Sequence, residues 1–468
     1  MGERCKFYAY VRGLFDEVTG SNNLVIVKFP NGETIRFVVD CGLFNEPKYQ
    51  EKNSKLSFDA KNIEFALLTH GHVDHCGRLP LLVKRGFDKK IYTTEDTKNL
   101  LNIILEDSFK VLYTESKFKK TKCLYSEADV DNTIKKLIGV DFQKTINVCD
   151  NIKVTFLNNG HLVGAASILV QISYPGYNDI NLLFSGDYKK ENAFLDSVEI
   201  PNWIKELPLT LVTESTYGKV TSDKIEKTFR NNVSTASKDG KTVLIPVFSF
   251  ERCQRILYEL LLMQNERLVD SNIPIYLDGK LAIKFTEIFK KGILHLKQGM
   301  ENFIPQNMHY VTKNSRNAVL KGTSQKIILV TSGMGTKGIA PLYLAEYLPR
   351  KNCLIQFVGY MAEDTLGRQL QETKKGDIVT TSTFVRYKYA DVEFSDEFSG
   401  HAKADELIES MGEFENLKLV LIGHGEHESK MSLRNLVEKK LKVKQLGILN
   451  SNVSYMINSY GLVKQIKD

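Results

Sequence analysis

Long apolar runs are missing from this chain of 468 residues. No stretch approaches the roughly 18 consecutive apolar residues of a membrane-spanning helix, so no span is expected. The segment Met1-Gly2-Glu3-Arg4-Cys5-Lys6 opens no apolar signal, and Lys6 breaks the myristoylation pattern. A cysteine framework is missing as well. The seven cysteines (Cys5, Cys41, Cys76, Cys123, Cys149, Cys253 and Cys353) are odd in number, irregularly spaced and form no CxxC pair. That excludes a disulfide scaffold and a zinc ribbon, and it favours a reducing, cytoplasmic setting. Low-complexity linkers and repeats of fixed period are also lacking.

What remains is an ordinary globular composition, 42% hydrophobic and 25% charged. The length exceeds one typical core and implies two or three domains. A net charge of +7 suits a polyanionic substrate, although the same excess spread over a large surface would carry no such meaning.

The rhythm of apolar residues changes along the chain. The first third is strand-rich: 23–29 and 34–39 flank the turn Pro30-Asn31-Gly32, and 63–68, 152–157 and 180–184 are further strands. Residues 96–113 repeat apolar positions at helical spacing. From about 216 to 385 strands and helices alternate: 242–247, 251–263, 273–277, 282–290, 326–330, 339–347 and 353–358. That order predicts a parallel sheet flanked by helices, and so an α/β fold. Domain limits are expected at 1–215, 216–385 and 386–468.

The densest chemistry lies in Thr69-His70-Gly71-His72-Val73-Asp74-His75, three imidazoles and a carboxylate within six residues, directly after an apolar strand. One zinc takes about four donors, so four here with more elsewhere suggest two adjacent metals. Three other ligand-type residues share the strand-end context. His161 follows Val154-Thr155-Phe156-Leu157, Asp187 follows Phe184-Ser185-Gly186, and His424 follows Ile422-Gly423. A single strand-end histidine is usually a hydrogen-bonded structural residue; four such sites, one of them HxHxDH, are not explained that way. His295 and His309 lack this context, and His427 falls on the helix side of Gly425-Glu426.

HxHxDH, a lone histidine and Ser-Gly-Asp in this order resemble the metallo-β-lactamase superfamily. Glu214-Ser215-Thr216-Tyr217-Gly218, Phe398-Ser399-Gly400-His401-Ala402 and Ile422-Gly423-His424-Gly425-Glu426 resemble motifs A, B and C of its β-CASP nucleases. Pro246 to Arg252, Ser332-Gly333-Met334 and Gly359 to Arg368 resemble that family's inserted domain. The resemblance covers nearly the whole chain. It implies an αββα sandwich with an inserted β-CASP domain, and two Zn2+ ions with Mn2+ as the alternative. His70, His72 and His161 would hold one ion, and Asp74, His75 and His424 the other, with Asp187 between. Asp40 would orient a ligand imidazole, and Glu214 would support His401.

The implied activity is hydrolysis of single-stranded RNA to 5′-phosphate and 3′-hydroxyl ends, by endonucleolytic or 5′-exonucleolytic attack. Asp74 would orient the water and His401 would protonate the leaving oxygen. In the family a histidine at motif C goes with RNA and a valine with DNA, so His424 favours RNA. A DNA nuclease, a small-molecule hydrolase and an inactive scaffold are the alternatives; the last two fit poorly with the long insertion and the filled ligand positions. Ser332, Thr365, Arg368 and Lys280 are candidate phosphate contacts, against the plain alternative of a capping threonine and surface cations. Phe248 and Tyr360 are candidates for base stacking or core packing. Gly279-Lys280, Lys403 and Lys219-Val220 depart from the family's usual Ser-Pro, Asp and Asp-Arg, which bears on substrate preference. The chain is similar to compact bacterial β-CASP ribonucleases, in which phosphate-driven, salt-sensitive binding and a homodimer are allowed for.

Overall fold

The computed structural model describes residues 6–359, 361 and 364–467. They form two compact units. One comprises the residues up to Ser222 together with those from Gly400 onward; the other is Asp223–Ser399.

The first unit is built on two sheets. The eight-stranded sheet runs in spatial order Gly461–Lys467, Val453–Asn458, Tyr8–Gly13, Asn23–Lys28, Thr34–Val39, Phe65–Leu67, Ile91–Thr94 and Leu137–Val140. The seven-stranded sheet runs Leu446–Ile448, Leu417–Ile422, Leu209–Thr213, Ile180–Phe184, Ala166–Ile172, Ile152–Asn158 and Thr145–Cys149. Alternation decides which faces meet. In Tyr8–Gly13 every second residue is buried, so Ala9 and Val11 point inward with Val25, Val27, Phe37 and Phe65. Val154, Phe156, Ile168, Val170, Leu182 and Phe184 face them from the other sheet in one shared core. Phe37 and Phe65 stack at 4.7 Å between ring centroids.

The outer faces are closed by helices. Leu407, Ile408 and Met411 of Ala404–Gly412 and Leu433 and Val437 of His427–Lys440 pack on the seven-stranded sheet. On the opposite outer face, Glu95–Lys119 packs on Ile91–Thr94 and Leu137–Val140. The layers are therefore αββα, as the family resemblance implies. The helix foreseen at 96–113 extends to Lys119 and is capped by Thr94, whose hydroxyl accepts from the Thr97 N–H.

The second unit holds a six-stranded sheet ordered Met308–Tyr310, Ile275–Asp278, Ile327–Val330, Thr242–Pro246, Cys353–Val358 and Asp391–Ser395, parallel throughout. Its last strand lies beyond the limit expected near 385. Asp391–Ser395 pairs with Cys353–Val358, which carries the unit on to Ser399. At the other limit, residues 216–222 stay with the first unit, where Tyr217 bridges Lys403 and the Val220 carbonyl accepts from the Ala404 N–H. Among the described residues no helix is long and apolar enough to cross a membrane.

The loop 40–43 clamps the histidine-rich turn of the first unit. Cys41 N–H donates to the His75 carbonyl at 2.7 Å and Leu43 N–H to that of Val73 at 3.0 Å. A Cβ on Gly42 would stand 1.5 Å from the Asp74 carbonyl oxygen, so only glycine allows this approach. Gly42→Ala should therefore cost about 1–3 kcal/mol of overpacking, read as a lower urea midpoint with unchanged slope. An unchanged midpoint would contradict this packing.

Candidate metal centre

Parallel and antiparallel strands end at one edge of the first unit, and each delivers a polar residue there. Thr34–Val39 is followed by Asp40, Phe65–Leu67 by Thr69 to His75, and Ile152–Asn158 by Asn159 and His161. Ile180–Phe184 leads to Asp187, Leu209–Thr213 to Glu214, and Leu417–Ile422 to His424. His401 precedes the helix Ala404–Gly412. Sharp turns hold these ends close. Gly186 has φ +59, and a Cβ there would crowd Thr69, the Ala166 carbonyl and Asn159.

Asp187 is the hub. His424 Nε2 lies 3.0 Å and His75 Nε2 3.3 Å from its Oδ1; His70 Nε2 and His161 Nε2 each lie 3.5 Å from its Oδ2. His72 Nδ1 is 3.1 Å from His161 Nε2, and Asp74 Oδ2 is 4.0 Å from His75 Nε2. The donors fall into three sets, each within 4.8 Å: His70, His72, His161 and Asp187; Asp74, His75 and His424; Asp187, Glu214 and His401, the first and last sharing Asp187. Every residue singled out in the sequence as a ligand, together with Glu214 and His401, is in one of these sets.

Burial fixes the charge states. It drives His70 and His161 well below the ordinary histidine value and His424 down to about 3, so these imidazoles are neutral donors. Burial pulls His75 down too, but Asp187 and Asp40 outweigh it and hold the imidazole well above that value. For His401 the same contest is won by Glu214 and Asp187, which raise it. Burial lifts Asp74 to about 6. It would lift Asp187 as well, yet His424, His75 and His401 hold that carboxyl well below the usual range.

His70 Nε2, His75 Nε2, both ring nitrogens of His424 and Asp187 Oδ1 are buried and make no hydrogen bond among the described residues. Such orphaned atoms are costly unless something else binds them. Here they converge, and nitrogen with carboxylate oxygen is a donor set for zinc-like divalent ions. The residues fit a metal-binding site.

The supporting contacts orient this set. Asp40 accepts from His75 Nδ1 at 2.7 Å and from the Thr69 N–H at 2.8 Å, the orienting role assigned to it in the sequence. His161 Nδ1 donates to the Gly400 carbonyl at 2.7 Å, and Glu214 Oε2 lies 3.0 Å from His401 Nδ1. Three contributors went unassigned in the sequence. Thr69 Oγ1 reaches both Asp40 oxygens and lies 3.0 Å from His70 Nδ1. Asn159 Nδ2 donates to the Ser185 and Asp187 carbonyls at 2.9 and 2.6 Å. Both adjoin metal motifs and were open to detection; the Gly400 carbonyl, 239 positions from His161, was not.

The four proposed phosphate contacts lie in the inserted unit. Lys280 is the exposed first residue of Lys280–Lys290. Ser332 Oγ donates to the Lys337 carbonyl at 3.2 Å. Thr365 caps Leu366–Glu372, and Arg368 Nε pairs with Glu372 at 2.8 Å. Capping and a surface ion pair thus already account for the last two. Phe248 is exposed; Tyr360 lies outside the described residues. His295, His309 and His427 are all exposed.

Three family models match the chain: the metallo-beta-lactamase superfamily over residues 17–199, the Beta-Casp domain over 253–370, and the Zn-dependent metallo-hydrolase RNA specificity domain over 388–446. Among similar proteins, transcription termination factor FttA of Methanocaldococcus jannaschii is 29% identical over 87% of this chain and 66% of its own length. Ribonuclease TTHA0252 of Thermus thermophilus is 29% identical over 91% of this chain and 94% of its own. Probable RNase MJ4 of Methanocaldococcus jannaschii is 29% identical over 86% and 90%. The chain spans about two thirds of the length of the archaeal termination factors it matches.

Asp40→Asn should weaken metal binding about 10–100-fold, because the His75 ring loses its negative acceptor. Competition against a chromophoric chelator reads this directly; wild-type affinity in the variant would remove Asp40 from the site.

Proposed function

Because the chain belongs to the metallo-β-lactamase superfamily and carries its Beta-Casp and RNA-specificity domains, we propose that it is a zinc-dependent ribonuclease, hydrolysing single-stranded RNA to 5′-phosphate and 3′-hydroxyl ends. The observation that carries this reading is Asp187, which belongs to the donor set of His70, His72 and His161 and also lies 3.3 Å from His75 and 3.0 Å from His424 of the set with Asp74. His70, His72 and His161 would hold one ion and Asp74, His75 and His424 a second, with Asp187 shared. When bound, two such ions lower the pKa of a water and offset the charge that builds on phosphoryl oxygens.

The chain's own residues supply the rest. Asp74, with its side chain 21% exposed, would orient the attacking water and take its proton. His401, with its side chain 22% exposed, is paired through Nδ1 with Glu214. Burial disfavours the charged ring, but Glu214 and Asp187 raise its pKa on balance, and with Nδ1 held by Glu214 it is Nε2–H that would protonate the departing 3′ oxygen. Glu214 is itself fixed, accepting from the Tyr188 N–H at 2.5 Å, so the imidazole has little freedom to turn. His424, at the position that separates RNA from DNA members in the family resemblance, supports RNA, as do the ribonuclease names of two relatives. The cysteines among the described residues are free thiols, which suits the proposed cytoplasmic setting.

Linear and circular RNA, each beside matched DNA, test the reading. RNA should be cut to 5′-phosphate ends and a chelator should stop the reaction; cut circles identify an endonuclease, and mononucleotides released from the 5′ end an exonuclease. Asp74→Ala should be inactive, and His401→Gln should lower kcat about 10²–10⁴-fold with little change in KM. Ends bearing 2′,3′-cyclic phosphate would contradict the mechanism, and cleavage of DNA alone would contradict the substrate.

A further inference from the structure

The helix Glu95–Lys119 passes the histidine-rich turn at Ile104 and runs on beyond it. The Thr97 hydroxyl donates to the Gly164 carbonyl at 2.8 Å, and a Cβ on Gly71 would meet Ile104 at 2.8 Å. Phe118 lies fourteen residues beyond Ile104, about 21 Å at roughly 1.5 Å per residue. There the chain reads Lys117-Phe118-Lys119-Lys120-Thr121-Lys122, and all six residues are exposed, Phe118 to 89%.

The chemistry of this end is one-sided. Lys120 closes the helix in the left-handed region at φ 52. Lys84 joins these lysines, its ammonium donating to the Leu124 carbonyl at 2.6 Å. Lys119, Lys120 and Lys122 pair with no carboxylate among the described residues. Asp129, the nearby acid of the next helix, is engaged in the capping box with Ser126. Behind Phe118, Tyr113 is 43% exposed, with the Lys117 ammonium 4.6 Å from its ring centroid. Cations spaced around an exposed ring are what a single strand requires: ammonium groups for phosphates and an aromatic face for a base. A lipid surface would call for a broad apolar face, whereas the apolar residues here are single and separated by charge.

We propose that this helix end is a second RNA-binding surface, in which Lys117, Lys119, Lys120 and Lys122 hold phosphates and Phe118 stacks on a base. The proposal rests on the ribonuclease reading for the identity of the polyanion. At about 3.4 Å per stacked nucleotide, the surface lies roughly six nucleotides from the metal centre, so one long substrate would span both and a short one would not.

The test uses the full chain in chelator, where nothing is cut, with fluorescent single-stranded RNAs of 30 and 5 nucleotides. Lys117→Glu, Lys119→Glu and Lys120→Glu combined should raise Kd for the 30-mer at least about tenfold. They should also flatten the dependence of log Kd on log salt by about 2, since each single-strand phosphate contact contributes about 0.7. Phe118→Ala should raise Kd about tenfold without changing the slope. Neither variant should alter the melting temperature, and the 5-mer, which cannot span both surfaces, should lose less affinity than the 30-mer. Unchanged 30-mer affinity would overturn the proposal. So would variants that retain RNA binding but lose binding to vesicles containing phosphatidylserine, which would assign the surface to anionic lipid. Binding is read without metal, so a chain that cuts no RNA can still pass this test, and an active ribonuclease can still fail it.

Discussion

One buried carboxylate organises the first unit. The two oxygens of Asp187 lie within 3.0–3.9 Å of nitrogens from His70, His75, His161, His401 and His424. Several of those nitrogens, and Asp187 Oδ1 itself, are buried without a hydrogen bond. No protein gains stability from such an arrangement alone, because desolvated polar atoms are expensive when unmatched. Asp187 in turn favours the charged form of His75 and His401, whose pKa values are raised. Divalent cations would answer the same electrostatic need and would also fill the open donor positions.

The sandwich can be understood as the device that holds this cost in place. Its aliphatic and aromatic core fixes strands whose ends deliver the ligands. The backbone clamp between loop 40–43 and the histidine-rich turn then leaves those ligands little room to relax. Asp40 and Thr69 add orientation, and the Gly400 carbonyl ties the His161 ring to the segment that carries His401. The structural contacts and the proposed chemistry thus share residues: the group that aims the His75 ring also raises its affinity for a proton or a metal.

Much of this was legible in the sequence because it is local. HxHxDH, Asn159-Gly160-His161 and Ser185-Gly186-Asp187 are short motifs directly after apolar strands, and period-2 and period-3.6 patterns placed the strands and the long helix. What escaped was long-range. The strand Asp391–Ser395 carries the same apolar signal whichever sheet it joins, so its pairing with Cys353–Val358, and hence the limit of the inserted unit, could not be read locally. A backbone carbonyl such as that of Gly400 has no side-chain signature at all. Thr365 and Arg368 show what residue type leaves open: it suggested phosphate contacts, and in the structure Thr365 caps a helix and Arg368 pairs with Glu372.

The central claim is that two metal ions share Asp187. Anomalous diffraction at the zinc edge from crystals of the zinc-loaded protein addresses it directly. The account predicts two peaks about 3.5–4 Å apart, one beside His70, His72 and His161 and the other beside Asp74, His75 and His424, with Asp187 between them. A well-folded, zinc-saturated crystal with no peak there, or with a single ion away from Asp187, would contradict it.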